Sequence, residues 1–168
     1  MKVLLIVRHA KSSWQDPHLT DHQRPLNKRG KKAAQEMGRR LQKRGVPPDM
    51  IVSSDARRAV DTAAAIAEAI GVSPKAIRQT PELYHGASDW IIEVVRQLKD
   101  KWKRVMLVGH NPGLTEMANR FTPDPIANIP TAGVVELMFN TRSWRNIDRD
   151  NLEFSWFDFP KNKQADGR

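Results

Sequence analysis

Residues 3–7 read Val-Leu-Leu-Ile-Val, with no polar residue among them. A strand with one wet face alternates apolar and polar side chains. An unbroken apolar run therefore predicts a strand buried on both faces, inside a sheet covered by helices. The run stops at Arg8-His9, which puts a cation and an imidazole where a central strand leaves the core. In open α/β sheets, ligands bind at that carboxyl edge. A strand that merely ends in two polar residues would by itself carry little meaning.

A second apolar run, residues 105–108, is followed by Gly109-His110-Asn111-Pro112-Gly113. Gly109 allows a tight turn, and Asn-Pro-Gly is turn chemistry leading into another helix. Two buried strands that each deliver a histidine to the same edge make a constellation: as neighbours in one sheet, they would turn His9 and His110 toward one pocket.

The stretches between these runs alternate helix with strand, which predicts a three-layer α/β/α sandwich with a mainly parallel central sheet. Residues 11–27 have no helical or strand period, and a connection this long in a compact domain is often functional. Within it, Arg24 precedes Pro25, which holds it extended. Asn27 is an expected N-cap for a helix carrying Ala33, Ala34, Met37 and Leu41 inward and ending near Gly45. A short strand at 49–52 leads to Ser54, an expected cap for a helix over 55–70 closed by Gly71. Arg57 and Arg58 then fall in the first turn, where cations oppose the helix dipole. A bound anion would resolve that conflict, since helix N-termini bind phosphate.

Further on, 76–79 predicts a short strand, and residues 80–87 a loop with Glu82, Tyr84 and His85. Ser88 is an expected cap for a helix with Trp90, Ile91, Val94, Val95 and Leu98 inward. A helix is expected at about 113–121, and strands at 134–139 and 152–157 form an edge hairpin joined by a polar turn. The pattern predicts one domain over 1–159 and a frayed tail over 160–168.

The chain has 168 residues, long enough for one sizeable core, and no cysteine, which excludes disulfides, thiolate metal sites and cysteine nucleophiles. The N-terminal apolar run is too short for a signal peptide or a membrane span, so a cytoplasmic protein is expected. The net charge of +9 raises nucleic acid as a partner. The basic residues are scattered, however. Lys28, Arg29, Lys31, Lys32, Arg39, Arg40, Lys43 and Arg44 fall largely on one helix, read as a solvated face, and no aromatic–basic interleaving suggests a stacking platform. Acidic or phosphorylated partners suit the charge better.

Arg8, His9, Arg24, Arg58 and His110 all point to the strand edge. Three fixed cations and two imidazoles describe a site for a phosphoryl group, whose transfer needs positioning and charge neutralisation. Arginine's planar fork donates two hydrogen bonds to adjacent phosphate oxygens, and a neutral histidine nitrogen can attack phosphorus. The rival use of two histidines is metal ligation. No HExxH and no carboxylate pair at ligand spacing accompanies them, so no metal and no cofactor are expected.

Arg8-His9 after the first strand, Ser54-Asp55-Ala56-Arg57-Arg58-Ala59-Val60-Asp61-Thr62-Ala63, and Gly109-His110-Asn111-Pro112 together resemble the histidine phosphatase (phosphoglycerate-mutase-like) superfamily. Arg8-His9-Ala10-Lys11-Ser12-Ser13-Trp14 and Arg24-Pro25-Leu26 are similar to its SixA-like branch, the phosphohistidine phosphatases. The resemblance runs from the first strand to about Thr131-Ala132-Gly133. It implies that His9 is the nucleophile, that Arg8 and Arg58 bind phosphoryl oxygens, that His110 stabilises the transition state, and that Arg24 adds a further phosphate contact. Arg58 rather than Arg57 matches, being followed by Ala-x-x-Thr; Asp61 stands where the family usually has Gln. Many members carry an acidic general acid in the middle segment, for which Glu82 is the candidate here.

The resemblance implies a metal-independent phosphatase with a covalent phosphohistidine intermediate, acting on phosphohistidine in proteins. The alternatives are a phosphatase for sugar phosphates or nucleotides, and a phosphate-binding module without turnover. The oligomeric state is not fixed by the sequence.

Overall fold

The two apolar runs lie side by side. In the computed structural model, which describes residues 1–45 and 47–163, β1 (Lys2–Arg8) pairs in parallel with β4 (Arg104–Gly109) from Val3 opposite Arg104 to Arg8 opposite Gly109. The backbone N–H of His9 extends the ladder to the Gly109 carbonyl at 3.0 Å. Both strands therefore end at the same level, and the next residue on each is a histidine.

Around this pair the sheet runs β3-β2-β4-β1-β5-β6, with β2 at Met50–Ser54, β3 at Ile77–Thr80, β5 at Val134–Phe139 and β6 at Leu152–Asp158. The first four strands are parallel, and β5 and β6 form an antiparallel hairpin at one edge. The pleat turns alternate β1 side chains to opposite faces. Leu4 and Ile6 enter a core with Ile91, Val95, Leu114 and Met117, which come from α3 (Ser88–Arg96) and α4 (Gly113–Asn119). Leu5 and Val7 enter a second core with Ala34, Met37, Ala63 and Ile66, from α1 (Lys28–Arg44) and α2 (Arg57–Ile70). Burying one such aliphatic side chain contributes about 1.5–3 kcal/mol, which is why the unalternated run reads as a central strand.

Several local expectations need correction. Ala56, not Ser54, precedes the first turn of α2, and no side chain caps it; Ser54 still belongs to β2. Asn27 caps α1 as expected, accepting from Gly30 N at 2.8 Å, and Gly71 closes α2 in the left-handed region. Ser88 is the first residue of α3 rather than its cap. Ile91, Ile92 and Val95 face inward from that helix, whereas Trp90 is exposed and Val94 only half-buried. The link between β5 and β6 is not simply polar. Trp144 within it is fully buried, its indole N–H donating to the Trp102 carbonyl at 2.7 Å and its backbone N–H to Asp100 Oδ1 at 2.8 Å.

The basic face of α1 is also less solvated than its composition suggests. Arg40 is buried, bridging Glu36 and Asp158 at 3.2 Å each, and Arg44 reaches buried Glu136 at 3.3 Å. Arg40 also donates to the carbonyls of Phe159, Pro160 and Asn162. It thereby holds the start of the segment expected to fray, whose residues 164–168 lie outside the described ones.

Residues 11–27 form a loop pinned at its base by a Ser12–Leu26 bridge and by Asn27 N donating to the Lys11 carbonyl at 3.0 Å. Gly30 makes that base tight: a Cβ there would come within 2.1 Å of the Lys11 carbonyl oxygen. The loop projects over the carboxyl edge of the sheet and brings Arg24 with it.

Candidate active site

His9 leaves β1 with its ring partly shielded. Its Nδ1 lies 2.7 Å from the Ala10 carbonyl oxygen. A carbonyl only accepts, so Nδ1 carries the hydrogen and Nε2 holds the lone pair. Burial pulls the His9 pKa down to about 4; the charges of Arg58, Arg8 and Arg24 pull the same way, against the Ala10 hydrogen bond. At neutral pH His9 is an uncharged imidazole with one fixed tautomer.

The position of Ala10 is itself fixed. The Thr62 hydroxyl accepts from Ala10 N at 3.0 Å and donates to the Arg58 carbonyl at 2.7 Å. One buried side chain on α2 thus ties the backbone beside His9 to the helix that carries Arg58.

The two arginines opening α2 diverge. Arg57 is exposed and faces Asp61 at 3.8 Å. Arg58 is only 6% exposed, with Nη1 on the Asp21 carbonyl at 2.7 Å and Nη2 on Asp21 Oδ2 at 3.0 Å. Arg24, also buried, reaches Asp21 Oδ1 at 3.2 Å and lies 3.4 Å from the ring centre of Trp14, itself 77% exposed. Arg8 donates to the Ile129 carbonyl at 3.0 Å, an oxygen shared with Asn111 Nδ2 at 3.0 Å. The segment leading into β5 is drawn over the site by these bonds and by Ala132 N, which reaches the carbonyls of Arg8 and His9.

His110 stands beside His9, ring centres 5.0 Å apart, and 5.4 Å from the Tyr84 ring. Its Nε2 lies 2.8 Å from Ser54 Oγ. Burial, with His9 and Arg58 as secondary causes, brings its pKa down to about 3, so it too is neutral at pH 7.

The site thus brings three arginines together with the Asp21 carboxylate. Arg8 Nε, Arg24 Nε and Nη1, Arg58 Nε and His110 Nδ1 are buried without a hydrogen-bond partner among the described residues. Buried unpaired donors are costly, and an oxyanion is the ligand whose acceptors would match them. Among the described residues, no group of three or more His, Cys, Asp or Glu is placed to hold a metal ion.

Five of the six candidate residues—Arg8, His9, Arg24, Arg58 and His110—come together. Glu82 does not join them: it is exposed in the turn at Pro81–Leu83, and among the described residues its backbone N–H donates to Thr80 Oγ1 at 3.2 Å while its side chain makes no hydrogen bond. Asp21 and Tyr84 carry more of the geometry than the sequence suggested. Asp21 lay in a stretch without period, and its one signal was its place three residues before Arg24. Thr62 was visible as the threonine of the Ala-x-x-Thr pattern, but nothing in the sequence linked it to Ala10. A groove of about 560 Å³ between the 122–130 segment and β6, lined by Ile126, Val135, Trp156, Phe157 and Phe159, contains none of these residues.

The chain is thus an α/β protein whose mainly parallel sheet gathers paired histidines and arginines at its carboxyl edge. Residues 4–111 match the histidine phosphatase superfamily (branch 1), and the chain belongs to that superfamily. An uncharacterized chloroplastic protein of Arabidopsis thaliana is 31% identical over 149 residues, which span 84% of this chain and 68% of the relative. Among solved structures, a protein from Agrobacterium tumefaciens provisionally named phosphohistidine phosphatase SixA is 28% identical, with a TM-score of 0.73 over 81% of this chain and 90% of its own. The protein histidine phosphatase SixA, solved with tungstate, shares the fold at 20% identity, with a TM-score of 0.79 over 95% and 98% of the two chains. Among the described residues, no helix is long and apolar enough to cross a membrane.

Proposed function

We propose that this protein is a phosphatase that works through a covalent phosphohistidine on His9, with phosphohistidine in proteins as its substrate. The observation that carries the reading is the fixed tautomer of a neutral His9. With Nδ1–H held by Ala10, the Nε2 lone pair is free to attack phosphorus. The P–Nε2 bond forms as the bond to the leaving group breaks, and the leaving atom takes the electron pair and a proton. Water then attacks the phosphoenzyme, the P–Nε2 bond breaks, and inorganic phosphate leaves. Arg8, Arg58 and Arg24 neutralise the phosphoryl oxygens, and His110 donates to them as charge gathers in the transition state.

The tungstate held by a SixA protein of this fold is a tetrahedral oxyanion like phosphate, which agrees with the reading. Among the described residues, the carboxylate bonded into the site, Asp21, is engaged by Arg58, Tyr84 and Arg24; this suits phosphohistidine, whose imidazole leaves without a positioned acid. The test is a turnover panel of a phosphohistidine protein, a phosphoserine peptide, sugar phosphates and nucleotides, with and without exhaustive EDTA. Hydrolysis of phosphohistidine above the others, unchanged by EDTA, is expected. An acid-labile, base-stable phosphoenzyme should appear in wild type and be missing from His9→Ala. Near wild-type turnover by His9→Ala would overturn the mechanism.

A further inference from the structure

We infer that Ser54 sets the tautomer of His110, placing the ring hydrogen on Nδ1, and so acts as a positioning residue for phosphoryl transfer. The inference rests on the role proposed for His110, and it concerns a contact between two adjacent strands. Ser54 ends β2, which pairs with β4 up to Ser53 opposite Val108. That register brings its fully buried hydroxyl beside the residue that follows β4.

The Ser54 hydroxyl has one hydrogen to donate and two lone pairs to accept with. Ser54 Oγ accepts from Ala56 N at 3.2 Å and meets His110 Nε2 at 2.8 Å. If Nε2 carried the ring hydrogen, the hydroxyl would accept twice. Its own hydrogen would then be buried with no acceptor among the described residues. If the hydroxyl donates to Nε2, every group in the contact is satisfied: Ala56 N–H has its acceptor, the hydroxyl hydrogen has Nε2, and Nε2 uses its lone pair. The second arrangement leaves Nδ1 as N–H. Nδ1 is the atom of His110 that is buried without a partner, and as N–H it joins the unpaired arginine donors of the same site. In the other tautomer Nδ1 would turn an electron pair on a phosphoryl oxygen. Because burial keeps His110 neutral, charging the ring does not remove the choice; a neighbour has to make it.

His9 offers the complementary case. There a backbone carbonyl fixes Nδ1–H and frees Nε2 as a nucleophile. At His110 a hydroxyl donor occupies Nε2 and makes Nδ1 a donor. The same side chain is thus put to opposite uses by the hydrogen-bonding sense of its neighbour.

The experiment is long-range ¹H–¹⁵N correlation of the histidine rings in the full chain at pH 7, with His110 assigned by loss of its signals in His110→Gln. Wild type is expected to show Nδ1 protonated and Nε2 bare. In Ser54→Ala the ring should move to the Nε2–H form or a mixture, while Ser54→Thr, which keeps the hydroxyl, should retain Nδ1–H. The turnover expected of Ser54→Ala is lower in kcat by about 10–10²-fold with KM little changed, less than the 10²–10³ that loss of a whole transition-state donor costs. An Nε2–H ring in wild type overturns the inference without needing any variant to fold, and so does an unchanged Nδ1–H ring in folded Ser54→Ala. The wild-type tautomer is read without substrate. Finding Nδ1–H in a protein that hydrolyses nothing in the panel would therefore support the assignment of Ser54 and overturn the phosphatase reading instead.

Discussion

The Asp21 carboxylate receives the Arg58 guanidinium at 3.0 Å and the Tyr84 hydroxyl at 2.6 Å on the same oxygen, Oδ2. Its other oxygen faces Arg24 at 3.2 Å. One acidic residue, carried in by a loop, therefore aligns two of the three arginines before any substrate arrives. Preset charge of this kind needs no reorganisation during the reaction.

Asp21→Asn is accordingly expected to lower kcat/KM by roughly tenfold. Hydrogen bonds to charged groups contribute about 1.5–3 kcal/mol, and solvent screening at this half-exposed carboxylate takes the effect to the low end. Asp21 also has a pH signature. The Tyr84 hydrogen bond first, then Arg58 and Arg24, lower its pKa from 3.8 to about 2. A depressed carboxylate stabilises the fold above its unfolded pKa, and that contribution disappears as pH falls through the folded value. The stability difference between wild type and Asp21→Asn should therefore shrink between about pH 4 and pH 2 in acid titrations followed by circular dichroism. A difference independent of pH in that range would show that the carboxylate's charge is not what matters.

Arg58 and Arg57 provide an internal control. Arg58→Ala should cost roughly 10²–10³ in kcat, by analogy with loss of one transition-state donor, with the fold intact by circular dichroism. Arg57 is exposed and its nearest carboxylate is Asp61 at 3.8 Å, so Arg57→Ala should change kcat little. Equal losses from the two variants would mean that the wrong arginine has been placed in the site.

The two neutral histidines predict how stability depends on pH. Their folded pKa values lie at about 4 for His9 and about 3 for His110, below the ordinary 6.5. As pH drops below about 6.5, the unfolded chain takes up protons at both rings while the folded chain does not. Folding stability should thus fall steadily from about pH 6.5, with the His9 contribution levelling near pH 4 and that of His110 near pH 3. Urea unfolding at pH 7, 6, 5 and 4 measures this. The double variant His9→Asn, His110→Gln should flatten much of the slope. An unaltered slope would place the responsible groups elsewhere.

How legible all this was depends on the range of the interaction. The buried central strands, the cap at Asn27, the turn at Gly71 and the pairing of His9 with His110 follow from runs, periods and strand order, all local or topological signals. Asp21 and Tyr84 are 63 residues apart, as Ala10 and Thr62 are 52 apart, and neither pair shares a pattern that would announce its contact. Ser54 departs from its expected place for a related reason. Serine before a helix signals a cap, but here the strand continues through it and its hydroxyl turns to His110. Arg40 reads as one of many surface cations, and only the end of β6, 118 residues away, supplies Asp158 to bury it.

The leaving group decides which phosphorylated substrates turn over. In phosphohistidine the departing imidazole has a conjugate acid near pKa 6.5 and is readily protonated by water. An alkoxide is far more basic and needs a positioned donor, worth about 10²–10⁴ in rate. Glu82 is exposed, and its side chain makes no hydrogen bond among the described residues. Tyr84 points its hydroxyl at Asp21, and burial together with that carboxylate raises its pKa above the ordinary 10, making it a poor acid. With neither group ready to protonate an alkoxide, kcat/KM should fall steeply from phosphohistidine through p-nitrophenyl phosphate to a sugar phosphate. Glu82→Gln should leave all three values nearly unchanged. If sugar phosphate is hydrolysed as efficiently as phosphohistidine, and Glu82→Gln removes only that activity, the turn at Pro81–Leu83 must carry Glu82 onto the leaving oxygen. A small-molecule phosphatase would then replace the protein phosphatase proposed here.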